Sequence, residues 1–205
     1  MRLKLRRKKG IKTCSVNLPA NSNFKLEMNK ITNEEAPDLP LKVVFDDRII
    51  FLGYTGGTSQ EENTIEISED LASTLNLPDG VPLEVSIQYT FRHLKKVEFE
   101  PITADDYEIV CYFAEQVEEN LKNQIGVFFN GLIFPCYVGQ DLRYRILFKV
   151  NIKDKITERA ECFMLSENAE VNVPPKIREP EEVKRQEESK RQKVKEEKRK
   201  VSKSQ

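Results

Sequence analysis

Short runs in which apolar and polar residues alternate dominate the first half of the chain and predict a mainly β fold. The run from Val81 to Gln88 places apolar side chains at every second position, as a half-buried strand does. Two further apolar runs flank Asp46-Asp47 and predict a hairpin, whereas the glycines at 53–57 predict a loop. Ser68 is positioned to cap a short helix over 69–77. Many short strands around one short helix indicate a small barrel.

The second half of the chain predicts a separate lobe that begins with a strand and a helix. The segment 97–101 alternates and ends at a proline. Thr103 with Asp106 has the spacing of a helix N-cap and its N3 partner, and an apolar stripe follows through Leu121. Apolar runs between 126 and 165 then complete about four strands. We therefore expect a second lobe of one amphipathic helix and about four strands.

The charge is distributed unevenly, although the net charge is only -1. Residues 1–12 hold seven Lys and Arg and no acid, and residues 176–205 hold twelve basic and seven acidic residues. The 13–175 body holds 14 basic and 27 acidic residues, a net charge of -13. An acidic body between two basic ends disfavours a nucleic-acid-binding core, although the ends themselves could still bind.

These patterns divide the chain into four parts. We expect a basic N-terminal extension at 1–12, a barrel lobe at 13–95, a second lobe at 96–173, and a charged, solvated tail at 174–205. No apolar run approaches the roughly 20 residues that span a bilayer. The basic start has no apolar segment after it, so we expect no secretory signal and a cytosolic protein.

No sequence motif indicates an enzyme, a metal site or a cofactor. The four cysteines are far apart, which favours reduced thiols in the core, and the chain has a single histidine, His93. A phosphate-binding GxxxxGK loop, HExxH, GxSxG and an EF-hand loop are all absent from the sequence. Paired acids at 105–106 and 118–119 fit helix capping and solvation better than acid–base catalysis. We therefore expect no catalytic residues and no cofactor.

One segment, VEFEPITADDYEI at 97–109, resembles the N-terminal domain of the peroxisome-biogenesis AAA+ ATPases of the peroxin-one type. The resemblance covers about 14–170 in order and spacing. It continues in CSVNLP (14–19), FLGY (51–54), ENTIEI (62–67), LNLPDGVPLEV (75–85), NQIGVFF (123–129) and GLIFPCYV (131–138). The family usually has tryptophan where this chain has Tyr54 and Tyr107, and the two ATPase modules of the family do not occur in this sequence.

The resemblance implies an α+β, mainly β fold: a double-psi β-barrel followed by a smaller α/β-roll lobe, as in valosin-containing protein and N-ethylmaleimide-sensitive factor. In such ATPases this domain is not catalytic but binds adaptors, substrates or lipid headgroups. The family's complex with its peroxin-six partner extracts the ubiquitinated import receptor from the peroxisomal membrane. The expected location is therefore the cytoplasm, peripheral to that membrane.

Two groups of residues are candidates for binding. A groove between the lobes is the natural docking place, and a plain linker or solvated strand edge explains its nearest candidates equally well. Those partner-binding candidates, with a basic patch on the second lobe, are Phe91, His93, Lys95, Lys96, Arg143 and Arg145. The candidates for binding an anionic (phosphoinositide) membrane are Arg2, Lys4, Arg6, Arg7, Lys8 and Lys9.

Three hypotheses follow, in descending order. The first is an adaptor- or substrate-binding N-domain. The second is a module for anionic membrane surfaces, where each basic residue contributes about 1 kcal/mol; Leu3 and Leu5 are too few to anchor it as an amphipathic segment. The third is a nucleic-acid-associated protein, disfavoured because neither basic end is interleaved with aromatic residues.

Overall fold

A closed six-stranded barrel forms the first lobe of this computed structural model, which describes residues 1–22, 24, 27, 38–153 and 161–178. Its strands are β1 (Arg2–Lys8), β2 (Ser15–Leu18), β3 (Leu39–Phe45), β4 (Arg48–Thr58), β5 (Thr64–Ser68) and β6 (Pro82–Ile87), and helix α1 (Glu69–Thr74) follows β5. They close in the order β1-β5-β2-β4-β3-β6, with parallel pairs β1–β5 and β2–β4 among antiparallel ones. The expected double-psi barrel lobe is confirmed.

The hairpin at Asp46-Asp47 is confirmed, but the glycine-rich segment after it is a strand. Asp46 and Asp47 have φ values of 44° and 61°, and two left-handed residues are what a tight two-residue hairpin requires. Residues 53–57, expected as a loop, lie inside β4. Gly57 is needed there because a Cβ at this position would lie 2.1 Å from Asn17 Oδ1 on the paired strand β2.

The basic N-terminus is a strand of the barrel, so the prediction of an N-terminal extension at 1–12 is wrong. Strand β1 pairs in parallel with β5 and antiparallel with β6. Leu3 and Leu5 are buried in the core. Because the leucines alternate with basic residues, the segment satisfies the period of a half-buried strand while its charges remain outside.

The second lobe is a five-stranded sheet covered by two helices. Its elements are β7 (Arg92–Pro101), α2 (Ala104–Tyr112), α3 (Ala114–Gln124), β8 (Val127–Phe128), β9 (Ile133–Val138), β10 (Tyr144–Asn151) and β11 (Phe163–Asn172). The strand order is β8-β11-β7-β10-β9. The chain changes sheets between Ile87 and Arg92, just before the expected boundary at 95/96.

The helix expected from Thr103 starts as predicted but is broken in two. Thr103 Oγ1 accepts from the Asp106 backbone N–H at 3.0 Å, and Asp106 Oδ2 accepts from the Thr103 N–H at 3.0 Å, which confirms the capping box. Phe113 leaves the helical region at φ −116° and ψ 31°. Its ring packs on Tyr144 with centroids 5.3 Å apart, while Val117 and Leu121 of α3 stay buried. Among the described residues the lobe therefore has two α-helices, a short 3₁₀ helix at Gln140–Leu142 and five strands, where one helix and about four strands were expected.

A continuous hydrophobic core joins the two lobes. In the second lobe it is organised around Phe99, whose ring lies edge-on to Phe128 at 5.7 Å and to Phe134 at 5.1 Å. Such edge-to-face pairs each add about 0.5–1.5 kcal/mol beyond their buried area. The two lobes therefore share one hydrophobic core.

Three of the four cysteines are buried and all four are free thiols. Cys14, Cys136 and Cys162 lie in the interior, but Cys111 is exposed on α2. Cys111 was expected in the core because its sequence neighbours are apolar; it lies instead on the outward side of the helix, whose buried residue is Val110.

Only the first residues of the expected tail belong to the described chain, and they contact the second lobe. Lys176 Nζ lies 2.6 Å from Glu100, and Arg178 Nη2 lies 2.6 Å from Asp105 on α2. The expectation of a solvated tail otherwise falls on 179–205, which lie outside the described residues.

Candidate partner-binding site at the junction of the lobes

A polar contact centred on Asp70 ties the barrel to the second sheet. Asp70, on α1, accepts a hydrogen bond from Tyr137 Oη on β9 at 2.5 Å and one from Arg145 Nη1 on β10 at 2.6 Å. Lys12 Nζ lies 4.1 Å from the centroid of the Tyr137 ring. Burial alone would raise the pKa of Asp70, but the hydrogen bonds from Tyr137 and Arg145 outweigh it and lower that pKa. We call Asp70, Tyr137 and Arg145 the inter-lobe latch.

Backbone contacts continue the junction beside the latch. The Cys14 N–H donates to Gln124 O at 2.7 Å, and Cys14 Sγ lies 3.6 Å from Pro135 O. The Gln124 side chain binds both the N–H and the C=O of Tyr137, at 2.8 and 2.9 Å. Gln124 thus pairs with the edge strand β9 as a neighbouring strand would.

A buried carboxylate fills a narrow space between the lobes. Asp38 accepts from Ser15 Oγ at 3.1 Å, and burial raises its pKa. A Cβ on Gly53 would lie 2.6 Å from Asp38 Oδ1, and one on Gly126 would lie 1.6 Å from Asp38 Oδ2. Gly53 belongs to the barrel and Gly126 to the second lobe. Both positions require glycine, because the Asp38 side chain leaves no room for a Cβ atom at either of them.

An apolar groove opens where β4 of the barrel meets the second sheet. It has a volume of about 340 Å³, and we call it the inter-lobe groove. Its lining residues are Ile49, Phe51, Phe129, Asn130, Ile152, Glu161 and Phe163. The rings of Phe51 and Phe129 meet edge-on across the junction at 6.2 Å, and Ile49 is 43% exposed. The groove therefore presents apolar surface, with the polar side chains of Asn130 and Glu161 beside it.

The sequence candidates around His93 lie near this groove but do not line it. Phe91 packs on the cluster that contains Phe51, and its ring lies edge-on to His93 at 5.6 Å. His93, Lys95 and Lys96 line a different groove of about 600 Å³ over β7. Lys96 forms an ion pair with Glu170 at 2.9 Å, whereas Lys95 has no ion pair among the described residues.

The two arginine candidates are at the other end of the second sheet. The β7–β10 register pairs Glu98 with Asn151 and Pro101 with Phe148, which places Arg145 on the order of 30 Å from His93 along the strands. Arg145 is held by Asp70, while Arg143 is exposed. The structure therefore does not bring the six partner-binding candidates together, and their role in binding stays a prediction.

Most of the basic side chains of β1 are engaged within the barrel. Arg2 pairs with Glu84, Arg6 with Glu61 and Lys8 with Glu66, at 3.0, 3.2 and 3.1 Å. Arg7 donates to Leu77 O at 2.7 Å, and Lys4 and Lys9 have no ion pair within the described part of the chain. Such internal pairing reduces the positive potential that this strand offers to an anionic surface.

Two further properties concern membranes and metals. No helix within the described residues is long and apolar enough to span a membrane. Across the same described residues, no group of three or more His, Cys, Asp or Glu side chains is placed to hold a metal ion.

The comparisons with known proteins identify the second lobe. The family model described as "Peroxisome biogenesis factor 1, N-terminal" matches residues 95–175. Residues 95–175 are therefore similar to this family. The match includes α2, α3 and all five strands of the second sheet except the first residues of β7.

Curated peroxisomal ATPases extend the family likeness into the barrel. Peroxisomal ATPase PEX1 of Komagataella phaffii is 31% identical over 134 residues, which cover 64% of this chain and 12% of the relative. The protein of that name from Dictyostelium discoideum is 28% identical over 177 residues, 80% of this chain and 14% of the relative. The human protein is 32% identical over 103 residues, 49% of this chain and 8% of the relative. The chain thus spans about a tenth of the length of these relatives, and is similar to an N-terminal domain of a PEX1.

The inter-lobe groove contains residues that the sequence did not single out. Phe51 and Phe129 come from segments that resemble the family, FLGY and NQIGVFF, where each reads as an ordinary core position. Ile49 next to the hairpin turn was the only available signal, since an isoleucine on an outward strand position beside a turn is a candidate contact residue.

Proposed function

We propose that this chain is a non-catalytic N-terminal domain that binds an adaptor or substrate protein for a peroxisome-biogenesis AAA+ ATPase. In that role it supports protein import into the peroxisome matrix by receptor recycling. The match at 95–175 to the peroxisome biogenesis factor 1 N-terminal family supports the cellular process. The apolar inter-lobe groove supports the binding role.

The inter-lobe groove suits one or two apolar side chains of a protein segment. Its volume of about 340 Å³ is at the lower end of the roughly 300–1,000 Å³ of ligand sites. Exposed Ile49 and the aromatic pair Phe51–Phe129 supply apolar contact area, and Glu161 favours a basic group beside the apolar anchor. The packing of Phe51 against Phe129 over a buried cluster preforms the groove, so little ordering is needed on binding.

The proposal extends to partner and location. A peroxin-six type ATPase is the expected assembly partner, and the working place is the cytoplasmic side of the peroxisomal membrane. Neither needs a cofactor in this chain. The alternative of a module that binds anionic membranes is less well supported, because Arg2, Arg6 and Lys8 already have carboxylate partners in the barrel.

A chimera tests this function directly. The region of Komagataella phaffii Peroxisomal ATPase PEX1 that matches this chain would be replaced by the chain, and import of a fluorescent matrix protein would be scored in cells lacking the native gene. We expect the chimera to restore import. Ile49→Asp, which places a charge at the inter-lobe groove, should reduce import at least about fivefold.

The matched control is Ile177→Asp, because Ile177 is an exposed isoleucine outside the groove, 84% accessible. It should import like the unmodified chimera. Equal loss in both variants, with both proteins present at normal levels, would count against the groove. Failure of the unmodified chimera, with the protein abundant and folded, would count against the whole proposal.

A further inference from the structure

A second apolar groove lies between the helices and β11 of the second lobe. It has a volume of about 360 Å³ and shares no lining residue with the inter-lobe groove. Val117 and Leu121 of α3 form one wall, and Ala169, Val171 and Val173 form the other. Ala169, Val171 and Val173 are half-exposed, so the strand wall is open to solvent. We call this the helix–strand groove.

Acidic side chains border the helix–strand groove on one side. Glu115, Glu118 and Glu119 are exposed on α3, and Glu118 itself lines the groove. None of the three has an ion-pair partner among the described residues. The nearest cation in the groove is Lys122, and Glu170 on the opposite wall is already paired with Lys96 at 2.9 Å. The border on the α3 side therefore keeps a net negative charge after Lys122 is counted.

We propose that the helix–strand groove binds a basic amphipathic helix of a partner protein. The apolar stripe of such a helix would replace the solvent over Ala114, Ala169 and Val171, as in other helix-in-groove complexes. Its basic residues would pair with the acids at 115, 118 and 119. The α3 part of this wall, from Ala114 to Lys122, is about 12 Å long at 1.5 Å per residue, which is enough for about eight residues of bound helix.

The charge selects among the classes of occupant. An anionic lipid surface or a nucleic acid would place phosphate beside three unpaired carboxylates, which is repulsive. An acidic or uncharged helix would bury apolar surface equally well but would gain nothing from the α3 border. A basic amphipathic helix is the class for which both the apolar walls and the carboxylates are favourable.

A synthetic peptide provides the probe. It is a fluorescein-labelled helix of about 14 residues with Leu at i, i+3, i+4 and i+7 and Lys or Arg on the other face, and its partner peptide has Glu in place of Lys and Arg. Fluorescence anisotropy with the full chain at about 50 mM salt would measure both affinities. We expect the basic peptide to bind at least about tenfold more tightly than the acidic one.

Variants locate the binding. Removing the three charges, E115Q with E118Q and E119Q, should weaken binding of the basic peptide about tenfold and flatten its salt dependence. The matched control removes three exposed charges from the barrel, D46N with D47N and E62Q, and should change the affinity less than about twofold. Ala169→Trp fills the groove and should weaken binding at least about tenfold.

The outcomes separate cleanly. Ala114 is exposed on the helix wall, so Ala114→Trp serves as the filling variant if Ala169→Trp does not fold. Equal weakening by the two charge-removal triples would show non-specific attraction and overturn the proposal. Unchanged affinity in a folded filling variant, or no binding of the basic peptide to the unmodified chain, would overturn it as well.

Discussion

Removing the carboxylate at the centre of the inter-lobe latch should destabilise the whole chain. Tyr137 is only 2% exposed, and its hydroxyl donates to Asp70 at 2.5 Å. Asp70→Ala leaves that buried hydroxyl without its acceptor, which costs about 1–3 kcal/mol. The lost pair with Arg145 adds only about 0–1 kcal/mol, since the two side chains are 34% and 49% exposed.

The sum is about 1–4 kcal/mol in the free energy of unfolding. For a chain of this length, each kcal/mol lowers Tm by about 2–4 °C. Equilibrium unfolding in urea, followed by circular dichroism, would measure the change directly. Glu84→Ala is the matched control, because it removes an exposed ion pair with Arg2 inside the barrel and should cost less than about 1 kcal/mol.

A double-mutant cycle decides whether the hydroxyl is the cause. Tyr137→Phe removes the donor and should itself cost about 1.5–3 kcal/mol, because its acceptor is charged. In that background, Asp70→Ala removes only the contact with Arg145 and should cost about 0–1 kcal/mol. The two changes should therefore be non-additive by at least about 1 kcal/mol. Additivity within about 0.5 kcal/mol would refute the reasoning.

Three further predictions concern the junction and the thiols. Gly126→Ala should cost about 1–3 kcal/mol, because its Cβ would meet the Asp38 carboxylate, and an unchanged Tm would contradict this. Burial alone would raise the pKa of Asp70, but its hydrogen bonds lower it, so its carboxylate stabilises the fold above the unfolded-state value of about 3.9. The stability difference between the unmodified chain and Asp70→Asn, measured by urea unfolding, should therefore shrink as the pH falls through and below that value. Burial raises the pKa of Cys136 and of Cys162 to about 12, so native protein near pH 8 should react with one equivalent of iodoacetamide, at Cys111. Mass spectrometry of Cys111→Ser showing the same fast labelling would contradict that assignment.

Local signals in the sequence were enough for the elements that they control. The Asp46-Asp47 turn, the Ser68 and Thr103 caps and the alternation of β6 are decided by residues next to one another, and the structure contains each of them. The fold class came from the family resemblance, because barrel closure depends on pairings between distant strands that no local pattern specifies.

The errors have the opposite origin. The many basic residues at 2–9 indicated a solvated extension. The signal for a strand was weak, because only two apolar residues, Leu3 and Leu5, alternate with the charges. The glycines of β4 indicated a loop, but they are present because Asn17 and Asp38 approach closely from other elements. At the helix break, Phe113 packs on Tyr144, which is 31 residues away in sequence, so no local pattern signals the break.

The candidate site was harder to predict than the fold. The sequence suggested basic residues as the partner-binding candidates. In the structure two of them, Arg145 and Lys96, already form ion pairs within the chain. The groove between the lobes is made instead by Phe51, Phe129 and Phe163, which come from three distant strands or their ends. Only a tertiary arrangement shows that these ordinary core residues leave a space between them.

The place of β1 in the barrel has a consequence for synthesis of the protein. Lys4 pairs with Pro82 on β6, so β1 cannot be enclosed in the barrel until about 80 more residues have been made. At roughly 5–20 residues per second, Leu3 and Leu5 wait on the order of 4–16 seconds without their barrel partners. The alternating Arg2, Lys4, Arg6 and Lys8 give the waiting strand a charged face, which opposes its pairing with another nascent chain. The basic N-terminus thereby protects the barrel before it closes.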